Sequence, residues 1–141
     1  MAKTHFENLR VYRLSEDLAD SLWDMVIEWR VFARDTIGKQ LVRAADSVGA
    51  NIAEGSGRGS VPDNRRFVRI ARGSLYEAKH WLRRAYKRNL LTNDQVDSLK
   101  QNIDELTLTL NGYLRSLQKT SNPKSKTKSL KSKVQSPKSK V

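Results

Sequence analysis

Apolar residues recur three and four apart along most of this chain, the spacing that gathers them on one face of an α-helix. Val11, Leu14, Leu18, Leu22, Met25, Val26 and Trp29 predict a first helix from about Leu9 to Trp29. Ile37, Leu41, Ala44, Ala45, Val48 and Ile52 predict a second, from about Thr36 to Gly55. Phe67, Ile70, Ala71, Ser74, Ala78, Leu82 and Ala85 predict the inner face of a third, from about Pro62 to Arg88. Val96, Leu99, Ile103, Leu106, Leu110, Tyr113 and Leu117 predict a fourth that begins at Thr92. No alternating run of β-branched residues bounded by turns supports a strand.

Local signals agree with these limits. Ser60 is placed to cap helix three, with Pro62 tolerated in its first turn because the missing N–H would be unpaired there. Thr92 and Gln95 fit a capping box. The Gly55–Gly59 stretch, GSGRG, lies between two helices, so it reads as a helix terminator and turn rather than a nucleotide-binding loop. Short connections favour antiparallel neighbours, which makes an all-α, up-down-up-down four-helix bundle over residues 1–118 the economical fold. Ala44, Ala45, Gly49, Ala50 and Ala53 make helix two unusually small in its side chains. Gly49 inside a helix costs about 1 kcal/mol against Ala, so close packing of a neighbour is expected there.

Helix one has a second apolar side. Trp23 and Ile27 point away from the Leu14–Leu18–Leu22 face, and two readings stand: they widen the chain's own core, or they form an oligomer interface.

Composition changes the picture at two places. The 141 residues carry a formal charge of +12, and no cysteine. That excludes disulfides, thiolate chemistry and cysteine-ligated metals, and two distant histidines leave no metal set. No run of apolar residues is long enough to span a membrane, and the opening MAKTHFENLR lacks the apolar core of a secretory signal, so a cytoplasmic location is expected. Residues 58–88 hold ten basic and two acidic side chains, a net of +8, and residues 119–141 hold eight lysines and no acid.

The C-terminal block repeats Lys-Ser-Lys at 124–126, 131–133 and 138–140. Its charge and low apolar content predict a disordered tail. That tail reads either as low-complexity sequence that solvates the terminus or as a non-specific phosphate-binding arm.

The first block is patterned. Arg65, Arg69, Arg72, Lys79, Arg83 and Lys87 fall within about 80° of arc on helix three, Tyr76 lies inside the same stripe, Arg66 and Arg84 border it and Arg58 precedes it. Such a linear array matches the spacing of nucleic-acid phosphates, and arginine adds bidentate and stacking contacts. An acidic protein partner and an ordinary solvated face are the competing readings. No nucleophile–base pair, ligand cluster or phosphate loop is present, so no enzyme activity and no cofactor are expected. Arg43, Asp46, Asn51 and Glu54 on helix two predict a buried Arg–Glu–Asn network.

QLVRAADSVGANIAEGSGR at 40–58, RFVRIARGSLYEA at 66–78 and FENLRVYRLSEDLA at 6–19 resemble the bacterial family of proteins encoded in intervening sequences of large-subunit ribosomal RNA genes. The resemblance covers about residues 6–118. It implies an antiparallel four-helix bundle, a ring-shaped homopentamer and no enzyme activity. Relatives of the same fold include the accessory variability determinant of diversity-generating retroelements, a basic pentamer that binds nucleic acid and a reverse transcriptase. The resemblance thus implies a self-associating protein with nucleic acid, RNA above all, or a reverse transcriptase as partner. The matching motif residues Arg43, Asn51, Glu54, Gly55, Arg72, Gly73 and Ser74 read as architectural.

Overall fold

The computed structural model describes residues 5–120. Among them every regular element is helical. A single turn, Phe6–Asn8, leads into α1, Arg10–Val26. The second helix is built without a break from an opening turn Val31–Ala33, a wider π-helical stretch Arg34–Gly38 and a regular stretch Lys39–Ser56; together they are α2. The third, α3, spans Val61–Lys87, and α4 spans Asn93–Thr120. The lysine-rich tail beyond residue 120 lies outside the described residues.

Each helix packs on its sequence neighbours, and α4 returns to α1. The bundle is therefore a closed square, in which α1 and α3 lie across a diagonal and make no extensive contact. The core is one cluster that draws on all four helices, from Leu18 and Leu22 through Leu41 and Val48 to Leu75, Leu106 and Leu110.

The predicted caps form. The Ser60 hydroxyl accepts from the Asp63 N–H at 3.3 Å. Thr92 and Gln95 exchange reciprocal bonds of 2.9 and 3.1 Å, the capping box. α3 stops at Asn89, whose φ of +62° lets the Leu90 N–H turn back to the Ala85 carbonyl at 3.0 Å.

Small residues set the closest approaches. A methyl group at Gly49 would meet the Ser15 hydroxyl at 3.0 Å and the Tyr12 ring at 3.4 Å, the close α1–α2 packing expected there. Gly55 is tighter still: a Cβ would fall 2.6 Å from the Asn64 side-chain oxygen and 2.9 Å from the Phe67 Cβ. Gly38 plays the same part against Val26 at the other end of α1, a role no sequence signal marked.

Three expectations need correction. α2 starts at Val31, not near Thr36, because the π-helical stretch keeps the backbone helical through Arg34–Gly38. The inner face of α3 is Val68, Ala71, Leu75, Ala78, Leu82 and Ala85, so Ile70 is exposed and Phe67 and Ser74 only half-buried. The helix is rolled roughly 40° from the predicted orientation, at 100° per residue. Finally, the Arg–Glu–Asn network does not form. Arg43 and Glu54 are exposed, Asn51 donates to the Ser47 carbonyl one turn back at 2.8 Å, and Glu54 accepts from Arg58 at 3.3 Å. Arg43 and Glu54 lie on the outer side of α2, where water already solvates them.

Candidate nucleic-acid interface

The basic residues from Arg58 to Lys87 fall into three sets. At the N-terminal end, Arg58 and Arg66 close over the Phe67 ring, 5.3 and 4.6 Å from its centroid. Arg58 also pairs with Glu54 at 3.3 Å and Asp63 at 3.8 Å, and Arg66 with Asp63 at 3.9 Å. Their charge is largely met locally, and their physical work is to shield an aromatic ring that the core does not take in.

A second set turns toward α4. Arg72 is half-buried and donates to the Asn111 side-chain oxygen at 3.2 Å. Arg65 is half-buried too, with one terminal nitrogen enclosed and without an acceptor among the described residues. Beside it, the Asn64 amide donates to the Tyr113 hydroxyl at 3.3 Å. These contacts stitch the first half of the α3–α4 seam.

The third set faces solvent. Arg69, Lys79, Arg83 and Lys87 are exposed and pair with no acid among the described residues. Lys79 lies 5.1 Å from the centre of the exposed Tyr76 ring. From Arg69 to Lys87 this array runs about 27 Å at 1.5 Å per residue. Arg84 is half-buried at its border. So the structure brings Arg69, Tyr76, Lys79, Arg83 and Lys87 together as one accessible surface. It assigns Arg58, Arg65, Arg66 and Arg72 at least partly to holding the bundle.

Three of the chain's acids cluster away from the stripe. Glu16, Asp20 and Asp46 line a groove of about 350 Å³ between α1 and α2, over Ala45, Gly49 and Ala50. Burial, and then the charge of Asp20, raise the Asp46 pKa above its ordinary value of 3.8. Burial, and then Glu16, raise that of Tyr12. Because α1 lies diagonally across from α3, its acids do not reach the stripe.

Trp23 and Ile27 are 54% and 47% exposed, so they do not widen the core of their own bundle. They border a groove of about 430 Å³ with Val42, Arg43 and Gly38. Val31 and Phe32, the latter 81% exposed, extend the apolar surface at the start of α2. Gly73 has no neighbour within 4 Å of a Cβ, so packing within one chain does not explain it. Gly55 does have an architectural role, and Ser74 is half-buried on α3.

With this geometry in place, the likeness to known proteins is informative. The family model described as 23S rRNA-intervening sequence protein matches residues 7–112, through α1, α2, α3 and most of α4. The chain belongs to that family. Among solved structures, this family member is similar to a protein of unknown function from the S23 ribosomal protein family of Bacteroides thetaiotaomicron. The two share 23% identity with a TM-score of 0.65, over 73% of this chain and 96% of that one, a likeness of fold. No curated protein matches the chain. No described helix is long and apolar enough to cross a membrane, and no described group of three or more His, Cys, Asp or Glu is arranged to hold a metal ion.

Proposed function

We propose that this member of the 23S rRNA-intervening sequence protein family is a non-enzymatic, homopentameric bundle that binds RNA through the outward face of α3. The observation that carries the reading is the row Arg69, Lys79, Arg83 and Lys87, exposed and unneutralised, with Tyr76 among them. Like charges at helical spacing slightly destabilise an isolated helix, so their gathering on one face favours an anionic ligand over plain solubility. An ordinary solvated face pairs its charges, whereas none of these four cations has an acid partner among the described residues. The family resemblance supports the pentamer, and so does the exposed apolar surface around Trp23 and Ile27, which a neighbouring copy would cover. Five copies would repeat the stripe around a ring and raise avidity without any new contact.

The test is binding of the full chain to a structured RNA as a function of salt. Affinity should fall steeply with salt, since each neutralised phosphate releases counterions. Arg69→Glu with Lys79→Glu and Arg83→Glu should abolish binding while helix content persists. Binding that ignores ionic strength, or survives this triple reversal, overturns the reading.

A further inference from the structure

The α3–α4 seam is closed at one end and open at the other. Asn64–Tyr113 and Arg72–Asn111 stitch the first half, and beyond Arg72 no side-chain hydrogen bond crosses the seam among the described residues. There the helices part over a groove of about 330 Å³. Its floor is the core itself. Leu82, Leu99 and Ile103 are 8%, 7% and 7% exposed, the three least covered members of an otherwise sealed cluster. Tyr86 stands on the wall, 47% exposed, and its hydroxyl makes no hydrogen bond among the described residues. Lys79 and Arg83 of α3 and Lys100 of α4 rim the opening. One acid shares the lining, Asp104, which pairs with Lys100 at 3.8 Å.

We infer that this groove takes an unpaired RNA base, stacked on Tyr86, with the flanking phosphates on Lys79, Arg83 and Lys100. The inference rests on the RNA reading above and adds which form of RNA the site selects. Three features favour this occupant. Lys79 and Arg83 belong both to the groove rim and to the exposed stripe, so a backbone that follows the stripe arrives at the opening. The groove lies at the lower end of the range of about 300–1,000 Å³ typical of small-ligand sites, which suits one planar group better than an amphipathic helix with anchors over several turns. An apolar floor beside an aromatic wall and cationic rim matches an unstacked base between its phosphates, the arrangement single-strand binders use. A duplex keeps its bases stacked inside and offers the groove nothing, so the site discriminates for loops, bulges and ends.

The experiment compares a short single-stranded RNA, carrying one fluorescent purine analogue, with a duplex of the same sequence, using the full chain at low salt. The single strand should bind more tightly, and the analogue's emission should change as it stacks. Tyr86→Ala should weaken single-strand binding about tenfold, the size of one stacking contact. It should leave duplex affinity and helix content unchanged. Tyr86→Phe should retain the preference, because the ring and not the hydroxyl makes the contact. Equal binding of both forms, unaffected by Tyr86→Ala, overturns this inference and leaves the RNA reading standing. Binding of neither form overturns both.

Discussion

The Arg72 guanidinium donates to the Asn111 side-chain oxygen at 3.2 Å, so the middle of the basic stripe is tied to the neighbouring helix. Arg69, less than one turn earlier, has no acid partner among the described residues. The two arginines therefore separate stability from binding. Arg72→Ala should cost about 1 kcal/mol in denaturant unfolding, the net worth of such a bond. Arg69→Ala should leave stability within about 0.5 kcal/mol. On RNA, Arg69→Ala should lower the log–log salt slope by about one. An Arg69 variant that lost stability but kept its salt slope would reverse these roles.

Two glycines should respond oppositely to alanine. At Gly55 the new methyl would fall 2.6 Å from the Asn64 side-chain oxygen and 3.1 Å from its carbonyl oxygen, the latter on a fixed helix. Overpacking of this kind outweighs the helix-propensity gain, and Gly55→Ala should destabilise by about 1–2 kcal/mol. At Gly73 nothing lies within 4 Å. Gly73→Ala should stabilise the single bundle by about 0.5–1 kcal/mol. Thermal unfolding of both variants checks the contrast, and an assembly defect in Gly73→Ala would place that residue at a contact between copies.

Trp23→Asp or Ile27→Asp should dissociate the assembly and leave helicity largely intact, since both side chains stand outside their own core. Light scattering of the wild type should give five times the 16.1 kDa chain mass, and of either variant a single chain mass. A wild type that is monomeric at micromolar concentration would refute the interface.

Asp46 has its pKa raised above the ordinary 3.8, first by burial and then by Asp20. A carboxyl with a raised folded-state pKa favours the folded chain while it is protonated. Its contribution is complete below pH 3.8 and is lost as pH rises through the folded-state value. Asp46→Asn should therefore stabilise the protein at neutral pH and lose that advantage in acid. Because Asp46 is solvent-accessible, the gain should be small and shrink with salt. Unfolding curves at acid and neutral pH, with Asp20→Asn as companion, measure it.

Much of this molecule is legible in its sequence because the signals are local. The capping box of Thr92 and Gln95 and the Ser60 cap act over three residues, and both form where the residues stand. The inner faces of α1, α2 and α4 follow from spacing, because each has one dominant apolar row. The block of charge on α3 is equally plain. The seam groove and Tyr86 were missed, and the only sequence signal for Tyr86 is its place one turn after Arg83. Phe32 lies in the short turn Val31–Ala33, and the π-helical stretch Arg34–Gly38 that follows breaks the regular periodicity linking that turn to the rest of α2.

Sequence alone thus determined four helices, their caps, their antiparallel order and a basic third helix, all properties set by neighbours within a turn or a short loop. Tertiary structure decided the roll of α3 about its axis. Two apolar rows compete there, one with Phe67 and Ile70, the other with Val68 and Leu75, and periodicity does not choose between them. The choice depends on how closely α2 approaches at Gly55 and on the space α4 leaves, both contacts between residues far apart in the chain. Position along the α3–α4 seam then determined which arginines bind the bundle and which face solvent: Arg65 and Arg83 share one angular position on α3, yet the first is half-buried where the seam is stitched and the second exposed where the helices part.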